Sequence, residues 1–235
     1  MQPSDQVKSR ERVSAFGEVF TAEREVNAML DLVKPETERV DSRFLEPACG
    51  DGNFLAEILR RKLVASKKQS IPPGKGKPFP PEFERQSVMA VSSLYGVDLM
   101  ADNVDTCRER LYGIWDAEYA AVCGNETNAV CREAVRFILR RNIVCGNALT
   151  LMRVDENQND TNEPIVFSEW SFPFHDTRMQ RKDYSFAELL SSAKIEDEIR
   201  TTGQGDLFAS ADGSVEPTFL KQYITDYRKV QDYDK

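Results

Sequence analysis

Phe44-Leu45-Glu46-Pro47-Ala48-Cys49-Gly50-Asp51-Gly52-Asn53-Phe54-Leu55 joins an acidic residue, a Gly-x-Gly turn and the start of an apolar helical pattern. Glycine lacks a Cβ, so such a turn reaches strained dihedrals and lets a ligand lie against bare main chain. Phe54, Leu55, Ile58, Leu59 and Leu63 recur at helical spacing, and Asp51 or Asn53 can cap the first turn. The stretch reads as strand, turn and helix with Glu46 at the strand's end, a site for a small cofactor. Two further segments carry a polar group after a short apolar run: Leu94-Tyr95-Gly96-Val97 before Asp98, and Ile143-Val144-Cys145 before Gly146-Asn147. A dinucleotide fingerprint would need glycine at position 55, where this chain has leucine.

These polar groups need elements to hold them. Val26, Met29, Leu30 and Val33 lie on one face of a helix that stops before Pro35, and residues 13–20 read as extended. Val104, Cys107, Leu111 and Ile114 mark a helix after Asp98, and Val130, Ala134, Phe137 and Ile138 mark another over about 126–140. Residues 67–82, with prolines at 72, 73, 78, 80 and 81, predict a long surface loop. After the polar run Asp155–Glu163, Pro164-Ile165-Val166-Phe167 reads as a fourth strand. Strands alternating with helices predict an α/β fold, a doubly wound and mainly parallel sheet with helices on both faces. Ligands of such sheets bind beyond the carboxyl ends of the strands. Phe186, Leu189, Leu190 and Ala193 suggest one more helix, residues 201–217 read as loop, and the tail fits strand or helix equally.

The length of 235 residues suits a single domain. Its expected parts are an N-terminal segment, 1–42, a cofactor-binding core, 43–175, and a C-terminal extension, 176–235. No apolar run approaches the roughly 20 residues of a membrane span, and no signal peptide is expected, which predicts a cytoplasmic chain. Cys49, Cys107, Cys123, Cys131 and Cys145 show no C-x-x-C spacing, so reduced thiols are expected and zinc is not. Cys49 reads as a small residue filling a turn, and His175 as a loop residue. The net charge of −8 is unlike that of a chain holding duplex DNA alone. Positive charge is local, in Arg60–Lys77 and in Arg178, Arg181 and Lys182, and reads either as a nucleic-acid contact or as solvated surface.

Phe44–Leu55 resembles the S-adenosylmethionine-binding motif of amino-group DNA methyltransferases of the adenine-N6 kind, as in the modification subunits of type I and IIG-like restriction–modification systems. The resemblance covers about residues 13–175 and implies a Rossmann-like methyltransferase fold. Phe16-Gly17-Glu18-Val19-Phe20-Thr21 is similar to the family's N-terminal motif, with Ala22 where proline is usual. The resemblance assigns the cofactor to Phe16, Thr21, Glu46, Pro47, Ala48, Cys49, Gly50, Gly52, Asn53, Phe54, Asp98, Leu99, Asn147, Ala148 and Leu149. Glu46 would receive the methionine ammonium in a charge-assisted bond. Asp98 would accept both ribose hydroxyls, since two carboxylate oxygens suit a vicinal diol. Asn147 stands where an aspartate commonly accepts from the adenine amine.

The family's fourth motif, Asn, Asp or Ser followed by Pro-Pro and an aromatic, holds the target amine and stacks on a base flipped from the duplex. The best match here is Ser171-Phe172-Pro173-Phe174, with Phe172 in place of the first proline. Proline fixes φ, so its loss loosens that geometry. About 60 residues follow, too few for the usual further strands and a target-recognition region. The expectation is therefore methyl transfer to an exocyclic base amine, adenine N6 first. DNA specificity would come from a partner subunit in a hetero-oligomer. The alternatives are a non-catalytic cofactor-binding subunit or scaffold, and methylation of RNA or protein.

Overall fold

The computed structural model describes residues 21–174, 176–191 and 218–234. The expected extended segment 13–20 with Phe16, residue His175, and the stretch 192–217 with Ala193 lie outside them. The chain enters through α1 (Glu23–Asp31) and the short α2 (Lys34–Thr37). Then follow β1 (Phe44–Glu46), α3 (Asn53–Gln69), α4 (Pro80–Ser92), β2 (Leu94–Asp98), α5 (Ala101–Cys123), α6 (Ala129–Asn142) and β3 (Ile143–Cys145). The three strands form a parallel sheet in the order β1-β2-β3, with Phe44 opposite Leu94 and Gly96 opposite Ile143. Parallel neighbours need long crossovers, which the helix pairs α3–α4 and α5–α6 supply. The protein is α/β.

Alternation along each strand sorts the two faces of this sheet. Leu94 and Ile143 join Leu55, Leu59, Val88, Val104, Leu111, Trp115 and Ile138 in a core shared with the helices. Tyr95, Val97 and Val144 pack the other way, against Ile165, Phe167, Tyr184, Phe186 and Leu189. The Phe167 ring meets Tyr95 edge-on at 5.4 Å and Phe186 at 5.2 Å. Helices therefore cover one face. Among the described residues, the other face carries strand residues and the helical stretch 186–191.

The expected fourth parallel strand is not one. β4 (Met152–Val154) and β5 (Asp160–Pro164) make an antiparallel hairpin. β6 (Val166–Ser171) pairs antiparallel with β7 (Arg178–Ser185), which pairs with β8 (Lys221–Asp226), in a separate sheet. A hairpin rather than a helix connects β3 to β6, so the chain lacks the crossover that a parallel return requires.

Contacts at the two ends of β6 fix its direction. A Cβ on Gly146, just past β3, would lie 2.7 Å from Ile165 Cδ1. At the far end, Trp170 Nε1 donates to Asn142 Oδ1 at 3.2 Å, at the start of β3. Arg43 Nη2, just before β1, donates to Glu169 Oε1 at 2.6 Å. β6 thus runs from the carboxyl edge of the parallel sheet to its amino edge.

The expected boundary at residue 175 falls inside the β6–β7 pair, and the described parts of the C-terminal extension, 176–191 and 218–234, pack with the rest. Tyr227 and Val230, in a 3-10 turn over Tyr227–Asp234, are buried among the helices. The proline-rich stretch is shorter than expected. α3 runs through Gln69, and Pro80 and Pro81 open α4, where the missing N–H costs nothing. Part of the basic row on α3 is internal. Lys62 is fully buried and donates to Val40 O at 3.0 Å, to Ser93 Oγ at 2.7 Å and to Ser42 O. Among the described residues no helix is long and apolar enough to cross a membrane.

Gly52 opens α3 at φ 87°. A Cβ there would sit 2.6 Å from Cys107 Sγ. Gly52→Ala is therefore expected to destabilise the fold by about 2 kcal/mol, from left-handed strain and the clash together. Adding Cys107→Ala should recover part of that loss. Urea denaturation of both variants checks it, and an unshifted midpoint for Gly52→Ala would contradict the packing described.

Candidate cofactor site

β1, β2 and β3 end side by side, and the turns that leave them enclose a cavity of about 510 Å³. The first turn and α3 contribute Glu46, Pro47, Ala48, Cys49, Gly50, Asp51, Asn53 and Phe54. Leu99 and Met100 follow Asp98 on the second side, with Asn103 of α5 behind them. Gly146, Asn147, Ala148 and Leu149 come from the turn after β3, and Thr21 from the segment before α1. Residues from four separate regions of the sequence, expected to hold one cofactor, thus share one cavity. Gly52 is the exception among those described. It sits behind the wall and serves the packing of the turn on Cys107.

Asp98 joins the turns. Its Oδ2 accepts from Gly50 N at 2.9 Å, and its Oδ1 from Met100 N at 2.8 Å and Asn103 Nδ2 at 3.2 Å. Its main-chain oxygen accepts from Gly146 N at 2.9 Å. Cys49 N donates to Val97 O at 2.9 Å, and Gly52 N to Cys49 O at 2.8 Å. The amides of Gly50 and Gly52 are therefore committed inside the protein. Each carboxylate oxygen has two lone pairs, so Oδ2 keeps acceptor capacity toward the cavity.

Glu46 is half-buried, and burial pushes its carboxyl above the usual range, opposed by a hydrogen bond from the Ala48 backbone. Folded Glu46 holds its proton more tightly than the unfolded chain does, so its favourable share of stability is present at low pH. That share is lost as pH rises through its folded pKa. The Cys49 thiol is raised far beyond the ordinary range by its hydrogen bond with Cys107 and by burial, which suits a packing group and not a nucleophile. Asn147 is already engaged. Its Oδ1 accepts from Leu149 N at 3.0 Å and its Nδ2 donates to Asp160 at 3.1 Å. Leu149 is 95% exposed at the rim.

The expected base-holding group is elsewhere. Ser171 and Phe172 line a second cavity of about 400 Å³ with Arg39, Arg43, Arg85, Gln86 and Trp170. It lies at the amino edge of the parallel sheet, beside the residue that precedes β1. The Phe172 ring has the Arg85 guanidinium 5.3 Å from its centre and meets Tyr227 edge-on at 5.8 Å. Pro173 and Phe174 form the turn beyond, where Arg178 stands 4.3 Å above the half-exposed Phe174 ring. Ser171, Phe172, Pro173 and Phe174 do not adjoin the carboxyl-edge cavity, because β6 carries them in the reverse direction.

Met100 and Asn103 line the cavity without having been singled out by sequence, and Asp51, read there only as a helix cap, lines it too. Asn103 had a signal: it follows Asp98 in the first turn of a helix, where a side-chain donor can reach back. Met100 contributes through its position alone. Searches against protein-family models, curated proteins and solved structures find no match to this chain.

Asp98→Ala is expected to lower the stability of the ligand-free protein by about 2–3 kcal/mol, since hydrogen bonds to a charged acceptor are each worth roughly 1.5–3 kcal/mol. Thermal and urea unfolding without ligand check this. A variant as stable as the parent would mean that Asp98 does not hold the turns.

Proposed function

We propose that this chain binds S-adenosylmethionine in the carboxyl-edge cavity and serves methyl transfer to an exocyclic amine of a DNA base, with the acceptor presented by a partner chain. The observation that carries the cofactor is the charge of the cavity. Its described walls include three carboxylates, Glu46, Asp51 and Asp98, and no lysine or arginine; Asp51 is paired from behind the wall by Arg110, which leaves Glu46 and Asp98 without a cation among the described residues. S-adenosylmethionine brings an ammonium and a sulfonium, which such walls favour. A dinucleotide or nucleoside polyphosphate would bring phosphates instead, and the Gly50 and Gly52 amides that might receive them are already bonded. The cavity volume lies within the roughly 300–1,000 Å³ usual for small-molecule sites. The fold supports this reading, being α/β with the cavity at the carboxyl ends of parallel strands.

Ammonium capture falls to Glu46 and diol recognition to Asp98. The same acidic walls disfavour an approaching phosphate backbone, and the chain carries a net charge of −8. A DNA substrate would then need a basic surface supplied by another chain.

One observation favours a second reading, a non-catalytic cofactor-binding subunit. Ser171–Phe174, the only base-holding motif found in the sequence, lies across the sheet from the cofactor cavity. Labelled methyl groups appearing on DNA in the presence of neighbouring gene products would support the enzyme. Cofactor binding without transfer in every combination would support the scaffold.

The two roles of Glu46 oppose each other. Glu46→Gln is expected to raise the melting temperature of the ligand-free protein near pH 8, because an ionised half-buried carboxylate is removed. The same variant should bind S-adenosylhomocysteine about 10–100-fold more weakly, the worth of a charge-assisted hydrogen bond. In the parent, affinity should fall as acid protonates Glu46, and the glutamine variant should lose that dependence. Titration calorimetry across pH tests the pair of effects. A destabilised variant with unchanged affinity would remove Glu46 from the site.

A further inference from the structure

We infer that Arg110 of α5 is a positioning residue for the cofactor cavity, setting the end nearest β1 from behind its wall; this rests on the cofactor reading above. No motif singles it out, and it does not line the cavity. Its Nη1 donates to Asn53 Oδ1 at 2.6 Å and reaches Asp51 O at 3.5 Å, and it pairs with Asp51 Oδ2 at 3.2 Å. Asn53 in turn donates from Nδ2 to Thr21 O at 3.3 Å. One guanidinium thereby ties α5 to the glycine turn, to the first residue of α3 and, through Asn53, to the segment entering α1. Thr21, Asp51 and Asn53 all face the cavity.

The carboxylate of Asp51 makes this hold consequential. Its Oδ1 is buried and has no hydrogen-bond partner among the described residues, so Arg110 on Oδ2 is its compensating charge. Removing the arginine leaves a partly buried carboxylate unpaired, and the turn has reason to move. It also frees the Asn53 amide to rotate, which releases Thr21. Asp51 and Asn53 belong to the turn that leaves Glu46, where the ammonium would be received, and line the same cavity. The nucleoside end, at Asp98 and Asn147, shares one hydrogen bond with the turn, from Gly50 N to Asp98 Oδ2, and is otherwise held by Met100 N, Asn103 Nδ2, Gly146 N and Asp160, none of them bonded to Arg110.

The test compares Arg110→Ala and Arg110→Lys with the parent by amide hydrogen exchange and by calorimetry. The probes are S-adenosylhomocysteine and 5′-methylthioadenosine, which lacks the amino-acid half. In Arg110→Ala, amides 50–54 should exchange about tenfold faster, with those of α5 and β3 unchanged. S-adenosylhomocysteine should bind about tenfold more weakly, the low end for one charge-assisted hydrogen bond, while methylthioadenosine changes less than about twofold. Arg110→Lys should fall between, keeping the charge and losing the fork. Unchanged exchange at residues 50–54 would overturn the inference. So would equal weakening of both ligands, or faster exchange throughout the protein, either of which would make Arg110 a general stabiliser. If the parent binds neither ligand, the cofactor reading fails, and the exchange data still decide whether Arg110 holds the turn.

Discussion

Asp98 closes the end of the middle strand and accepts from three elements at once: the glycine turn after β1, the start of α5, and the turn after β3. The carboxylate serves the first two, one oxygen to each, and the main-chain oxygen serves the third. The consequence is that the cavity walls are set by hydrogen bonds made without ligand. A ligand entering such a site finds the turns already ordered, which lowers the conformational cost of binding. Gly52 and Gly96 complete the arrangement by close approach. A Cβ on Gly96 would lie 3.0 Å from Cys49 Sγ, so the turn packs directly onto β2.

The molecule has two unlike edges. Walls at the carboxyl edge are acidic, whereas the amino-edge cavity is lined by Arg39, Arg43 and Arg85. Those arginines are paired, Arg43 with Glu169 at 2.6 Å, Arg85 with Glu82 at 2.6 Å and Arg39 with Asp41 at 3.2 Å. The arginines of the amino edge are thus neutralised within the protein. Buried Lys62 fits the same view, because its ammonium ties Val40, Ser42 and Ser93 at the start of β1 and β2. Three neutral oxygens around a buried ammonium replace the water it has lost.

The carboxyl-edge cavity was legible in the sequence because its information is local. Glu46, Asp98 and Asn147 each end or follow a short apolar run, and the strand–turn–helix order alone brings them to one edge. α5 and α6 were legible from their apolar stripes. α4 was hidden by the prolines before it, which mark its first turn rather than a loop. β5 (Asp160–Pro164) was hidden by composition, since its residues are mostly exposed and polar. The direction of β6 has no local signature at all. Ile165, Phe167 and Trp170 would be apolar in a parallel or an antiparallel strand, and only the absence of a helix between β3 and β6 could have suggested the reversal. That reversal separates Ser171–Phe174 from the cavity.

The proposed S-adenosylmethionine site spans the ends of β1, β2 and β3. A crystal structure of the chain grown with S-adenosylhomocysteine tests it most directly. Ligand density is expected across the three strand ends, with the amino group on Glu46 and the ribose against Asp98. Density in the amino-edge cavity beside Ser171 and Phe172, or an empty carboxyl edge at saturating ligand, would contradict it.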